Sequence, residues 1–198
     1  MRARNPCVLH VADVDDGEAL EMLCRSTQVI ARVGMHQVLL VLTGNRGSDL
    51  IWSAALTGEV RPLRCPGPSI LGKLRALQSE FSRISIEKDL HAVHLHGLGP
   101  CLLGSQALKA TAVSGRVLYS PHLACSASPW TSALLGRLLE SHLSRLQGAA
   151  VTASLTEAQA LSKLLNRSAE VLPHPVAGAF FEAARREDAR PSVLAGGF

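Results

Sequence analysis

The sequence predicts an α/β protein built on a parallel, Rossmann-like sheet with helices on both faces. Short apolar segments alternate with segments of helical spacing along most of the 198 residues, and this strand–helix–strand repetition favours parallel pairing. The longest uninterrupted apolar run, residues 38–42, is typical of a strand that is buried on both faces. A composition of 47% hydrophobic and 18% charged residues excludes a disordered chain.

The first half of the chain contains three predicted strands and two predicted helices. The first strand is a short apolar run that ends in acidic residues, and Asp15 and Glu18 after it resemble a capping box at the start of a helix. Gly34 suits the position just after that helix. Pro62 weakens the third strand because proline cannot donate to a ladder. In order, the predicted elements are strand 8–12, helix 20–31, strand 38–42, strand 59–65 and helix 70–84.

The second half continues the alternation. Pro100 suits the first turn of a helix that follows the fourth strand. A leucine stripe marks a long helix that ends near Gly148, and Ser154 or Thr156 lies at the start of the next helix. Pro173 stops the last short strand. The predicted elements are strand 91–96, a helix from residue 100, strand 115–120, helix 134–146, strand 149–154, helix 156–165 and strand 170–172.

The residues that follow the predicted strands are the candidate functional residues. In open parallel sheets, ligands bind beyond the carboxyl ends of the strands. This rule selects five short segments as the functional edge: 13–17, 43–47, 96–100, 120–122 and 154–157.

Composition and charge exclude several classes of protein. A net charge of +4, with two Trp, one Tyr and four Phe, gives neither the basic density nor the stacking surface of a nucleic-acid binder. The five cysteines are scattered without a C-x-x-C pair, so we expect reduced thiols. Four acidic residues and no long apolar segment lie in the first twenty positions, which argues against a signal peptide. We therefore expect a cytoplasmic protein.

Three features have two interpretations each. His94 and His96 are two apart and share one face of a strand, where they could bind a metal. No fourth ligand has convincing spacing, so we predict no metal site and expect one histidine to be packed and the other to lie at the edge. His122 is either a functional imidazole at a strand end or a structural one. The basic helix around residues 136–147 could contact a membrane surface, but we favour a helix that packs on the core and has a basic outer side.

Six segments follow one another in an order that is more specific than any one of them: Asp16-Gly17, Gly34-Met35-His36-Gln37-Val38, Ala92-Val93-His94-Leu95-His96-Gly97, Leu118-Tyr119-Ser120-Pro121-His122, Thr152-Ala153-Ser154-Leu155-Thr156-Glu157 and Val171-Leu172-Pro173-His174-Pro175-Val176. Taken together, these segments resemble the N-terminal, acceptor-binding domain of family 4 glycosyltransferases of the GT-B type. The similarity covers almost the whole chain. Two departures are that His122 is not followed by Gly, and that Ala177 stands where the family has Asp.

The resemblance implies transfer of a sugar from a nucleotide-sugar donor to the hydroxyl of a glycan or lipid-linked acceptor. It implies retention of configuration and neither a metal nor a further cofactor. Among the matched residues, it implies that His122 is catalytic. The substrate-binding residues that it implies are Gly17, His96, Gly97 and Glu157.

We expect residues 1–181 to form one GT-B N-terminal lobe, with residues 182–198 forming a charged linker and the first strand of a second domain. Without a nucleotide-binding half, supplied by a second chain or by further sequence, we expect the lobe to be inactive. The alternative is a non-catalytic module that keeps the fold and binds a glycan or a protein. For the enzyme, the resemblance suggests polysaccharide or lipid-linked glycan synthesis with peripheral membrane contact.

Overall fold

The structure of the chain is a computed structural model. It describes residues 6–13, 23, 27, 30–43, 59–64, 69–111, 113, 116–121, 137–138, 140–141, 148–152 and 154–171. Seven strands form one sheet in the order β3-β2-β1-β4-β5-β6-β7, and every neighbouring pair is parallel. The strands are β1 (Pro6–Asp13), β2 (His36–Thr43), β3 (Glu59–Arg64), β4 (Asp89–His96), β5 (Arg116–Ser120), β6 (Ala149–Thr152) and β7 (Glu170–Val171).

Three helices of the described residues connect these strands: α1 (Ile70–Glu87), α2 (Leu98–Lys109) and α3 (Leu155–Leu165). The Ser69 hydroxyl caps α1 by accepting from the Gly72 amide at 3.3 Å, and Ser154 caps α3 through the Glu157 amide at 3.2 Å. Residues 23, 27, 30–32, 137–138 and 140–141 are also helical.

The two faces of the sheet carry different side chains. Leu9 and Val11 of β1 belong to the main hydrophobic core, which α1, α2 and α3 cover with buried side chains such as Phe81 and Leu161. The alternate residues point to the opposite face because side chains alternate along a strand. Helical residues lie on that face too, since the Gln37 side-chain amide donates to the Thr27 carbonyl at 2.8 Å. The predicted parallel α/β fold with helices on both faces is therefore confirmed.

Most predicted elements agree with the structure within two or three residues. Gly34 has φ 75° and its amide donates to the Ala31 carbonyl at 3.0 Å, as expected for a helix end. Pro62 is tolerated because β3 is the edge strand. The predicted capping box at Asp15 and Glu18 lies outside the described residues.

A cluster of ion pairs lies at the amino ends of the strands, opposite the predicted functional edge. Arg61 of β3 donates to Glu59 at 2.6 Å and to Glu87 of α1 at 2.7 Å, while Lys88 lies 3.3 Å from Glu59. Hydrogen bonds from Arg61 are the main cause that lowers the pKa of both glutamates below their ordinary value of 4.5. This cluster joins the end of α1 to the edge strand.

We predict that Arg61→Met lowers the free energy of unfolding at pH 7 and that its effect shrinks in acid. Glutamates with a depressed folded pKa stabilise the fold above their unfolded pKa of 4.5, and this contribution disappears as the pH falls through the folded values. Urea unfolding of the wild type and the variant from pH 7 to pH 3.5 measures the gap between their free energies of unfolding. Arg75→Met, which changes an exposed arginine of α1, is the control and should give no pH-dependent gap. A gap for Arg61→Met that stays constant into acid would contradict the linkage.

Candidate functional site

The carboxyl ends of β4 and β5 meet at one edge of the sheet. The Gly97 amide donates to the Ser120 carbonyl at 2.8 Å and so joins the two strand ends. Gly97 is also the N-cap of α2, with φ 85° and ψ 161°, a conformation that is essentially restricted to glycine. Its carbonyl accepts from the Cys101 amide at 3.0 Å. The turn from β4 into α2 therefore requires a backbone conformation that glycine alone adopts readily.

Three histidines lie together on the face opposite the main core. The register pairs His10 of β1 with His94 of β4, and Ala12 with His96. Because paired residues in a parallel sheet point to the same face, the register places His10, His94 and His96 side by side. Their ring centroids are 3.8 Å apart for His94 and His96, 5.4 Å for His10 and His96, and 5.8 Å for His10 and His94.

Two short polar contacts hold this histidine cluster, defined by residues 10, 94 and 96. His10 Nδ1 is 3.1 Å from His96 Nε2, and His94 Nε2 is 2.9 Å from the Ser120 hydroxyl oxygen. The exposed fractions are 0% for His10, 9% for His94 and 1% for His96. The three imidazoles are thus screened from water and are arranged by the backbone register.

Burial fixes the charge state of the first histidine. Desolvation lowers the pKa of His10 from its ordinary value of 6.5 to about 4, and the nearby polar side chain of Gln37 opposes this only in part. His10 is therefore neutral at pH 7, with one ring nitrogen able to accept or to bind a metal. The three rings could also bind a metal ion together, since each offers one nitrogen and these nitrogens all lie within 4.8 Å of one another.

The structure brings two of the predicted site residues together at this edge. His96 and Gly97 lie at the end of β4 and are both buried. Glu157 lies apart from them in the first turn of α3, where its amide binds the Ser154 cap. Gly17 and His122 lie outside the described residues, although Ser120 and buried Pro121 lead directly to His122.

Of the predicted histidine pair, His94 is packed against the Ser120 hydroxyl and His96 lies at the carboxyl end of β4, and both are buried. The third histidine of the cluster, His10, was not among the predicted site residues. His10 was absent from the sequence interpretation because it stands in an apolar run that predicts only a strand. The strand order could have revealed it, since β1 lies beside β4 in a doubly wound sheet.

Among known proteins, this chain is similar only to solved structures, and the similarity is one of fold. No protein-family model matches the chain, and no curated protein matches it either. A glycosyltransferase from Rickettsia africae is similar over 96% of this chain and 52% of its own, with a TM-score of 0.58 and 10% identity. HepE from Anabaena, solved in complex with UDP-glucose, is similar over 91% of this chain and 49% of its own, with a TM-score of 0.59 and 14% identity.

A third solved structure, sucrose-phosphate synthase from Thermosynechococcus elongatus, is similar over 93% of this chain and 96% of its own, with a TM-score of 0.52 and 12% identity. At these identities the likeness establishes the fold, which is that of a Rossmann-like lobe of the GT-B type. The chain spans about half the length of the Rickettsia and Anabaena structures. Among the described residues, no helix is both long and apolar enough to cross a bilayer.

We predict that Gly97→Ala destabilises the fold by about 1–3 kcal/mol, the cost of forcing a side chain into a glycine-only backbone conformation. Gly99→Ala is the matched control, because Gly99 is exposed in α2 and has no positive φ. That change should leave stability unchanged or raise it by up to about 1 kcal/mol through helix propensity. Chemical denaturation of both variants measures the difference. Equal stability of the two variants would contradict the strained turn at the end of β4.

Proposed function

We propose that this chain is the acceptor-binding half of a glycosyltransferase that moves a sugar from a nucleotide-sugar donor to an acceptor hydroxyl. The observation that carries the proposal is the similarity of 91–96% of the chain to about half of two solved proteins, of which one is a glycosyltransferase and the other holds UDP-glucose. The order of the sequence motifs supports the same activity independently of the fold.

The proposed reaction is retaining and needs no metal. In this proposal a second, nucleotide-binding lobe closes over the strand ends, and the closed cleft excludes water so that the acceptor hydroxyl attacks instead. Charge that develops on the leaving phosphate is stabilised mainly by groups of the second lobe. The lobe described here contributes the acceptor site and is inactive alone.

Each proposed site residue has a separate role. Gly17 allows close approach of the backbone to the donor phosphate or the acceptor, and His122 orients the acceptor or the reacting sugar. His96 lines the acceptor pocket from its buried floor, and Gly97 lets the chain turn at that floor; Glu157 binds substrate from the first turn of α3. The acceptor is a glycan or a lipid-linked glycan of polysaccharide synthesis, and Arg137, which is exposed, lies in the basic helix proposed to contact a membrane surface.

The test of this function is a transfer assay with the completed enzyme. The chain is expressed with any in-frame continuation of its coding sequence, or mixed with a nucleotide-binding half encoded beside it. A panel of sugar nucleotides that includes UDP-glucose is then offered with lipid-linked and free glycan acceptors, and release of the nucleoside diphosphate is measured. The proposal expects acceptor-dependent release. A folded complex that turns over none of the donors would contradict it.

We predict that His122→Ala lowers kcat/KM of the completed enzyme by at least about 100-fold, the usual contribution of a positioned imidazole. His91→Ala is the matched control and should leave kcat/KM unchanged, because His91 is exposed on β4 and distant from the carboxyl ends of the strands. Circular dichroism and thermal unfolding verify that both variants fold. Full transfer by a folded His122→Ala enzyme would contradict the assigned role. Intact biological function of that variant without transferase activity would favour a binding module.

A further inference from the structure

We propose that His10, His94 and His96 bind one divalent transition-metal ion, with Zn²⁺ the best fit, on the sheet face opposite the main core. The site goes beyond the proposed transfer reaction. All three imidazoles are at least nine-tenths buried, so the ion ties β1 to β4 beneath the acceptor-pocket floor that His96 is proposed to form. The proposed sugar transfer remains independent of metal chemistry.

The spacing of the nitrogens suits a metal ion. A tetrahedral Zn²⁺ with bonds to nitrogen of about 2.0–2.1 Å separates its ligand atoms by roughly 3.3 Å. His10 Nδ1 and His96 Nε2 are already 3.1 Å apart, and the three rings each offer one nitrogen such that all three nitrogens lie within 4.8 Å of one another. Only His94 must turn toward the pair, and the Ser120 hydroxyl, 2.9 Å from its Nε2, or a water can complete the tetrahedron.

His10 Nε2, the ring nitrogen that would not bind the metal, supplies a second observation in favour of the site. His10 Nε2 is fully buried and has no hydrogen-bond partner within normal distance among the described residues, and the same is true of Gln37 Oε1. The amide of Gln37 is fixed because its nitrogen donates to the Thr27 carbonyl at 2.8 Å. Metal-bound histidines donate their second N–H to such an oxygen, which orients the ring. A small shift that lets His10 Nε2 donate to Gln37 Oε1 turns Nδ1 into the metal ligand.

The chemistry of the donor set selects the metal. A metal binds the neutral imidazole, and the burial of all three rings disfavours their charged form. A set of three imidazoles suits Zn²⁺, Cu²⁺, Ni²⁺ or Co²⁺, whereas Mg²⁺ and Ca²⁺ prefer oxygen ligands. Zn²⁺ has no geometric preference from its d-electrons and tolerates three ligands fixed by strand register. Because the cluster is closed to water, loading occurs as the chain folds.

The test refolds the full chain from urea with EDTA or with ZnCl₂ and then removes free metal by gel filtration. We expect one Zn²⁺ per chain by elemental mass spectrometry, a higher midpoint of thermal unfolding, and no replacement by Mg²⁺. Co²⁺ in place of Zn²⁺ should give the visible d–d absorption of a tetrahedral nitrogen site. A refolded wild-type chain that holds no stoichiometric Zn²⁺ would overturn the proposal.

Three variants locate the ion. His10→Leu should lower Zn²⁺ affinity at least 100-fold while keeping the metal-free fold, since it replaces a buried polar ring by an apolar side chain. Gln37→Leu should lower Zn²⁺ affinity about 10–100-fold, because it removes the oxygen proposed to accept from His10 Nε2. It serves as the deciding variant if His10→Leu does not fold. His91→Leu changes an exposed histidine of β4 and should bind as the wild type does. Wild-type affinity in folded His10→Leu, or in Gln37→Leu when His10→Leu fails to fold, would overturn the site.

Discussion

The parallel pairing of β1 with β4 is the constraint on which the rest of the structure depends. It is the point at which the strand order turns from β3-β2-β1 to β4-β5-β6-β7, and ligands of doubly wound sheets bind at such a point. The same pairing sets His10 beside His94 and Ala12 beside His96. A one-residue slip would exchange the faces of every side chain on one strand, so the core and the histidine cluster are fixed together.

One face of the β1–β4 pair is apolar, and the other is polar. On one face, Leu9, Val11, Val93 and Leu95 contribute apolar area to the main core. On the other, three imidazoles and the Ser120 hydroxyl lie where burial penalises charge, as the lowered pKa of His10 shows. Buried polar groups are stable only when they are partnered. The cluster therefore requires a defined arrangement of rings, held by Ser120 and by the contact between His10 and His96 or, in the proposed metal-bound form, by an ion.

The fold could be predicted because its signals are local. The apolar run at residues 38–42, Pro100 in the first turn of α2, and Gly34 after a helix each report a backbone state through the chemistry of a single short segment. The histidine cluster could be predicted only in part. His94 and His96 share a strand and their common face follows from spacing, whereas His10 is 86 positions from His96 and meets it only through the order of the strands.

The burial of the cluster could not be predicted either, because the exposure of a strand end depends on its neighbours in the sheet. His96 lies at the carboxyl end of β4 beside Ser120 of β5, and only 1% of it is exposed. The sequence motifs placed His96 and Gly97 at this edge of the sheet but did not indicate how deeply they are buried. That a second lobe completes this edge is a proposal about function. Similarity to distant structures establishes only the fold, and function has to be argued from the residues of the site.

The most direct test of the account is a nuclear Overhauser experiment on the isotopically labelled full chain. It asks whether the side-chain protons of His10 lie next to those of His94 and His96. Ring centroids 5.4–5.8 Å apart predict cross-peaks from His10 to both rings, together with backbone contacts typical of parallel β1–β4 pairing. Contacts from His10 to other elements in place of these, or an antiparallel pattern between the two strands, would contradict the strand order and with it the site.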